Sequence, residues 1–103
     1  MDARMVTLTP KPGHLDALAA FWDDAVVAEI ADRPGNRGFV LLKDAANGRL
    51  IGLSLWDSAA AAEAAGPTFR SHMSSVADHL ESPPSPALAE VAASSASVQS
   101  LIR

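Results

Sequence analysis

His72 is the residue of this chain whose type and position are best suited to moving a proton. It follows Phe69 by three residues and precedes Val76 by four, so on a helix its imidazole would lie beside an apolar stripe. Histidine gains and loses a proton near neutral pH, as a general base must. We therefore predict that His72 is a catalytic base; a surface histidine bonded to solvent is the alternative.

The other two histidines do not suggest a metal site. His79 follows His72 by seven residues, which on a helix is about two turns or roughly 10 Å, too far for both rings to bind one ion. His14 stands beside Gly13 at the expected start of a helix, and a surface position is expected for it. The chain has no cysteine, which removes disulfides, thiolate zinc sites and thiol nucleophiles. We predict no metal site.

A second group of candidates could bind a planar molecule. Gly52, Ser54 and Trp56 share one face of a predicted strand. The two small residues would leave room for a ligand, Ser54 would donate a hydrogen bond, and Trp56 would stack on a ring. Phe69 and Arg70 lie on the helix expected above that strand, where Arg70 would reach an anionic group. We predict that these five residues bind substrate; core packing of the aromatic rings and a surface position of Arg70 are the alternatives.

Composition argues against two classes of partner. The net charge of −4, with basic residues scattered over predicted loops and strand ends, is unlike the basic stripe of nucleic-acid-binding domains. No segment approaches membrane-spanning length, and the N-terminus lacks an apolar stretch of the signal type. We expect a cytoplasmic protein that binds neither nucleic acid nor membrane.

The elements that would position these residues follow a simple order. Hydrophobic periodicity and turn residues predict strand, helix, strand, hairpin turn, strand, helix and strand. Their expected bounds are 5–9, 14–31, 38–43, 49–56, 58–80 with a break at Gly66-Pro67, and 87–93; Ser82 to Pro86 is expected to be a loop, and Asn47 and Gly48 to take positive φ in the hairpin turn. This order predicts one α+β domain over 1–93. Its expected fold is a ferredoxin-like βαββαβ sandwich, in which two helices cover one face of a four-stranded antiparallel sheet.

The two hairpin strands, 38–43 and 49–56, are apolar on both faces. Two helices can cover only one face of the sheet. Leaving about four to six large apolar side chains exposed on the other would cost on the order of 5–10 kcal/mol, as much as a small domain's stability. We therefore predict a homodimer that packs sheet against sheet; a monomer with a less polar second face is the alternative. The tail, 94–103, would dock on the neighbouring subunit or fray.

Four short features of the chain carry a resemblance to a known group of proteins. They are Pro34-Gly35 followed by Gly38-Phe39, the turn at Gly48, the run Leu53-x-Leu55-Trp56-x-Ser58, and the helix break before Phe69. In these features the chain is similar to the antibiotic biosynthesis monooxygenase (ABM) domain of the dimeric α/β barrel superfamily, over roughly Met5 to Ala93. The resemblance implies a homodimeric barrel with a pocket between the sheet and the helices of each subunit.

The resemblance also implies a choice of chemistry. Some members oxygenate polyketide quinol precursors without metal or flavin, others degrade haem, and many have no assigned reaction. Haem-degrading members have an asparagine in the first strand and a tryptophan on the second helix. Here that strand has Thr7 and Thr9, the helix has alanines, and only His72 lies near an expected histidine. The quinol-oxygenating members surround the substrate with tyrosine, asparagine, tryptophan and arginine; this chain has no tyrosine, and Trp56 and Arg70 are partial matches.

These observations lead to one hypothesis and two alternatives. The hypothesis is a homodimeric ABM-like protein that acts as a cofactor-independent monooxygenase on an aromatic or polyketide-like molecule. The alternatives are a non-catalytic small-molecule-binding or structural dimer, and an isomerase or decarboxylase on the same barrel. If His72 and Ser54 point into one enclosed cavity, the enzyme is favoured; if Phe69, Met73 and Trp56 fill that space, the binding or structural protein is favoured.

Overall fold

A four-stranded antiparallel sheet forms one layer of the molecule. The computed structural model describes residues 1–94 of the 103-residue chain, so the predicted docking of the tail lies outside the described residues. The strands are β1 (Asp2–Leu8), β2 (Asn36–Asp44), β3 (Arg49–Trp56) and β4 (Ser85–Glu90), in the spatial order β2-β3-β1-β4. This order, with helices between β1 and β2 and between β3 and β4, confirms the predicted ferredoxin-like α+β fold.

The first helical segment follows β1 and contains one wide turn. It comprises α1 (Leu15–Phe21), a π-helical turn (Trp22–Val26) and α2 (Val27–Ala31), without a break. Leu18, Trp22, Val26 and Ile30, each four residues from the next, are almost completely buried. Each four-residue step overshoots a full α-helical turn by about 40°, so three steps would rotate the stripe by about 120°. The π turn brings the stripe back onto the sheet, and within it the amide of Val27 donates to the carbonyl of Trp22.

The second helical segment is broken, as the sequence predicts. It consists of α3 (Ala59–Ala64), α4 (Gly66–Ser75) and a 3₁₀ turn (Ala77–His79). Ser58 caps α3, and its hydroxyl accepts a hydrogen bond of 3.1 Å from the amide of Ala61. Pro67 occupies the first turn of α4, where a missing amide donor removes no hydrogen bond. Phe69 and Met73 of α4 are buried, so this side of the helix faces the core.

Several strand ends and one turn differ from the sequence prediction; β1, for example, begins at Asp2 rather than at 5. β4 begins at Ser85 rather than at 87, so the predicted loop over 82–86 is too long. Pro86 is accommodated because β4 is an edge strand, which pairs on one side with β1. In the hairpin, Asn47 ends a 3₁₀ turn and does not take positive φ; only Gly48 does, at 63°.

Asp44 holds this hairpin turn together. Its carboxylate accepts hydrogen bonds from the amide and the side chain of Asn47 and from Nε of Arg49, at 3.3, 2.9 and 2.8 Å. These hydrogen bonds, first that of the Asn47 side chain and then that of Arg49, hold the pKa of Asp44 below its ordinary value. The turn is thus fixed by side-chain contacts as well as by Gly48.

The two faces of the sheet have different surroundings. On the helix side, inward residues of β1 and β3 join the two helical segments in one core that includes Trp22 and Trp56. The open side carries mostly apolar residues, as predicted: Ala3, Met5, Thr7, Val40, Leu42, Ile51, Leu53, Leu55, Ala87 and Ala89. Met5 and Leu42 are 44% and 47% exposed. Within residues 1–94, none of the helices has the length and apolar character needed to cross a bilayer.

Candidate functional site

A cavity of about 420 Å³ opens between α4 and the β1–β4 side of the sheet. Its walls come from two sheet strands, from α4 and from the loop before β4, and they are mainly apolar. The lining residues are Arg4, Val6, Phe69, Arg70, Met73, Ser74, Pro84 and Pro86. A volume of this size suits one small organic molecule, and the few polar groups would fix its orientation. The cavity lies on the helix side of the sheet, away from the apolar open side.

Arg4 is the most unusual residue of this cavity. It stands in β1 at an inward position, where the alternation places Val6 and Leu8, and it is only 9% exposed. Its guanidinium carbon lies 4.9 Å from the centre of the Phe69 ring, a cation–π contact. Its Nε is buried without a hydrogen-bond partner among the described residues. Burial, and then the nearby charge of Arg70, lower the pKa of Arg4.

Arg70 brings a second positive charge to the same place. It projects from α4 as an exposed residue, one position after Phe69. A methyl group at Gly66 would lie 3.1 Å from Nη1 of Arg70 and 4.0 Å from Nη2 of Arg4. Both guanidinium groups therefore converge beside Gly66, at the start of α4. Because both groups are positively charged, they raise the electrostatic potential inside a mainly apolar cavity.

Phe69 and Arg70 are the two predicted binding residues that line the cavity. Ser54 and Trp56 instead lie in the core, where the indole Nε1 of Trp56 donates a 2.9 Å hydrogen bond to Oγ of Ser54. Gly52 is also in the core: a methyl group there would lie 3.4 Å from Phe39 and 3.5 Å from Trp22. The structure therefore separates the strand-face group, at positions 52, 54 and 56, from the cavity.

His72 faces away from the cavity. Its Nε2 lies 2.8 Å from a carboxylate oxygen of Glu29, and its ring contacts Phe21 edge to face at 6.0 Å between centres. The side chain is 16% exposed, and it is not among the cavity-lining residues. His72 thus joins α4 to the first helical segment and stands apart from Arg4 and Arg70.

Neither of the two arrangements considered from the sequence is the one observed. His72 and Ser54 do not point into one cavity, and Phe69 and Met73 line the space without filling it. Sequence reasoning missed Arg4, because the first strand was expected to begin at Met5. An arginine two positions before an inward valine would have been the signal, had the strand been extended to Asp2.

The structure also brings together two histidines that are distant in the sequence. Nδ1 of His14 and Nδ1 of His79 are 2.8 Å apart, so one ring can donate to the other. This contact joins the loop after β1 to the 3₁₀ turn after α4. Among residues 1–94, no group of three or more histidine, cysteine, aspartate or glutamate side chains is arranged to hold a metal ion.

Comparison with known proteins identifies the family. The model of the antibiotic biosynthesis monooxygenase family matches residues 1–85, which is most of the chain. The chain belongs to the antibiotic biosynthesis monooxygenase family. A search of curated protein sequences finds no match. The resemblance noted in the sequence is thereby confirmed, and the cavity described above lies within the matched region except for Pro86.

Several solved structures share the fold of this chain. The Rv0793 protein of Mycobacterium tuberculosis is 22% identical, with a TM-score of 0.77 over 92% of this chain and 98% of that one. The NE2512 protein of Nitrosomonas europaea is 26% identical, with a TM-score of 0.75 over 91% of each chain. A monooxygenase of Streptomyces coelicolor, solved in complex with nanaomycin D, is 16% identical, with a TM-score of 0.75 over 90% of this chain and 88% of that one.

Proposed function

We propose that this ABM-family protein binds a small aromatic or polyketide-like molecule between α4 and the sheet and oxygenates it without metal or flavin. The observation that carries the proposal is the cavity itself, with apolar walls and two converging guanidinium groups. The fold shared with a monooxygenase that binds nanaomycin D supports a ligand of this class.

The proposed reaction converts a phenol into a quinone and is balanced with dioxygen alone. One oxygen atom enters the ring at a carbon that loses its hydrogen, the phenolic hydroxyl also loses its hydrogen, and the second oxygen atom leaves as water. Dioxygen accepts all four electrons that the phenol gives up, so no external reductant is needed. The protein has to supply an ionised ring, a fixed orientation and a cavity that excludes most water.

Arg4 and Arg70 would favour the ionised form of the substrate phenol. A phenolate is stabilised by positive charges held in a mainly apolar cavity, where electrostatic interactions are stronger than in water. Phe69 and Met73 would hold the ring against the sheet. His72 remains the candidate base of the proposal. To act as one, its imidazole would have to leave its contact with Glu29 and turn toward the substrate. Without that movement, the proton passes to water.

The proposal includes a homodimer. The apolar open side of the sheet, with Met5 and Leu42 nearly half exposed, is the surface that a second copy would cover. Each subunit would then have its open side buried against the other and its cavity on the opposite face.

Binding without catalysis is the second candidate function. It is favoured by the chemistry of the lining residues, because the part of the chain that the structure describes contributes no carboxylate, imidazole or tyrosine to them. Among these described lining residues, only the two arginines and Ser74 have polar side chains. A cavity of this kind could bind an aromatic ligand and leave it unchanged.

Oxygen consumption with anthrone separates these functions. Anthrone enolises to a phenol-like ring and would become anthraquinone, with one dioxygen consumed for each quinone formed; heat-denatured protein gives the rate of spontaneous oxidation. Consumption above that rate, in this ratio, supports the oxygenase. Binding with no added consumption supports the second candidate function, and turnover of a substrate without oxygen uptake supports an isomerase or decarboxylase.

A further inference from the structure

Two positively charged side chains line the cavity, whereas a purely apolar ligand would need none. Arg4 is 9% exposed, and Arg70 is directed to the same point beside Gly66. Among residues 1–94, neither guanidinium group forms an ion pair with a carboxylate. Buried charges in proteins are usually paired, because an unpaired buried charge is strongly unfavourable. An anion of the ligand would complete the arrangement.

We propose that Arg4 and Arg70 form a subsite for a permanently anionic group, a carboxylate, on an aromatic ligand. This inference rests on the proposed function only in using the same cavity as the binding site. It goes further by naming the ligand class, since a neutral phenol would satisfy the proposed reaction. One carboxylate balances one of the two positive charges and leaves the other to stabilise the phenolate of the proposed reaction. The guanidinium group presents its donors in a planar fork that matches the two oxygens of a carboxylate.

The surroundings of Arg4 hold its guanidinium group ready for a ligand. The Phe69 ring lies 4.9 Å from the guanidinium carbon, which restricts the side chain before anything binds. The buried Nε has no partner among the described residues. An arginine with only a structural role usually has its donors bonded to carbonyl or carboxylate oxygens, as Arg33 does with the carbonyl of Ala64. Nε itself is out of a ligand's reach, so a carboxylate in the cavity would accept from the terminal Nη groups of Arg4.

The remaining walls define the rest of the ligand. Val6, Met73, Pro84 and Pro86 provide apolar surface around the two charges. An apolar body with one anionic end fits this distribution, with the ring against Met73 and the prolines and the carboxylate toward Gly66. The exposed Arg70 would meet the ligand at the mouth of the cavity, and Arg4 would hold it inside.

The test compares two probes that differ in one group: 2-naphthoate, an aromatic carboxylate, and 2-naphthalenemethanol, its neutral analogue. Calorimetric titration of the full chain should show that 2-naphthoate binds about tenfold or more tightly than the alcohol, with a preference that weakens as salt is added. Arg70→Met and Arg4→Met should each reduce 2-naphthoate affinity about tenfold and leave alcohol affinity nearly unchanged. Arg37→Met is the matched control, because Arg37 is paired with the exposed Asp57 and does not line the cavity.

Two further variants keep the test decisive. If Arg4→Met does not fold, Arg4→Lys retains the charge without the fork and should bind 2-naphthoate more weakly than the unmodified chain. Equal affinity for the two probes, or a carboxylate preference that survives in both Arg70→Met and the Arg4 variant, would overturn the anionic subsite. Failure of both probes to bind would overturn the cavity as a binding site as well. Oxygen uptake with anthrone, which is neutral, tests the reaction separately from this charge preference.

Discussion

At the scale of single residues, the polar groups under the sheet have two different tasks. Ser54 and Trp56 satisfy one another in the core: the indole donates to the serine hydroxyl, and that hydroxyl lies 3.4 Å from the carbonyl oxygen of Arg4. Arg4 and Arg70 instead face the cavity. The strand-face spacing of small residues identified Ser54 and Trp56 as neighbours, but it could not show whether a ligand or a ring occupies the space. The rings of Trp22 and Phe39, two residues distant in the sequence, occupy the space beside Gly52.

Removing the Ser54 hydroxyl should destabilise the protein. In Ser54→Ala the buried indole N–H of Trp56 loses its only bonded acceptor among the described residues, which should lower the free energy of unfolding by about 1–3 kcal/mol. Urea unfolding followed by tryptophan fluorescence measures the change. Ser74→Ala, which removes the same atoms from an exposed position of α4, should change stability by less than about 0.5 kcal/mol. Equal stability of the two variants would mean that the indole–serine hydrogen bond contributes nothing.

At the scale of elements, the spacing of residues accounts for most of what the sequence predicted. Hydrophobic periodicity predicted the first helical segment at 14–31, and it is observed at 15–31, but its π turn was not predicted. The hairpin strands were predicted with nearly their observed bounds. The start of β4 was not, because Pro86 disfavours a strand unless the strand lies at an edge, and an edge position depends on the whole topology.

The same dependence on topology explains the missed half of the site. The predicted helix supplied Phe69 and Arg70, since their positions follow from helical periodicity. Arg4 enters the cavity only through the pairing of β1 with β3, which places it opposite Ser54 on the helix side. Alternation along β1 would have placed Arg4 on the same face as Val6, but it does not contain the register that brings this face to the cavity.

The link between α2 and β2 packs closely against α3 at Gly35. Its φ is +81°, and a methyl group there would lie 2.7 Å from Cβ of Ala61. Gly35→Ala should therefore combine backbone strain with a steric clash and destabilise the protein by about 2–4 kcal/mol. Gly13→Ala is a matched control: φ is +84°, but no atom lies within 4 Å of the added methyl group.

Thermal unfolding of both variants separates the two effects. Gly13→Ala should show only the strain, about 1–2 kcal/mol. The larger loss in Gly35→Ala would then measure the contact with α3. If the two variants were equally stable, the close packing of the α2–β2 link on α3 would be contradicted.

At the scale of the whole molecule, the two faces of the sheet differ in what they contact. Its helix side contains the core and the cavity, and its open side carries apolar residues from all four strands. The sequence predicted this open side because alternation in the hairpin strands left no polar face. An apolar surface of this extent on a small domain is typical of an interface. We therefore propose that a partner covers the open side and that this partner is a second copy of the chain.

The molar mass in solution shows whether two chains associate through the open side. Light scattering coupled to size-exclusion chromatography should give about 21 kDa, twice the 10.7 kDa of one chain. Leu53→Lys, a charge on the open side, should shift the mass toward that of one chain, whereas Ala20→Lys, on the exposed surface of α1, should leave it unchanged. A stable particle of 10.7 kDa at all concentrations of the unmodified protein would contradict the homodimer.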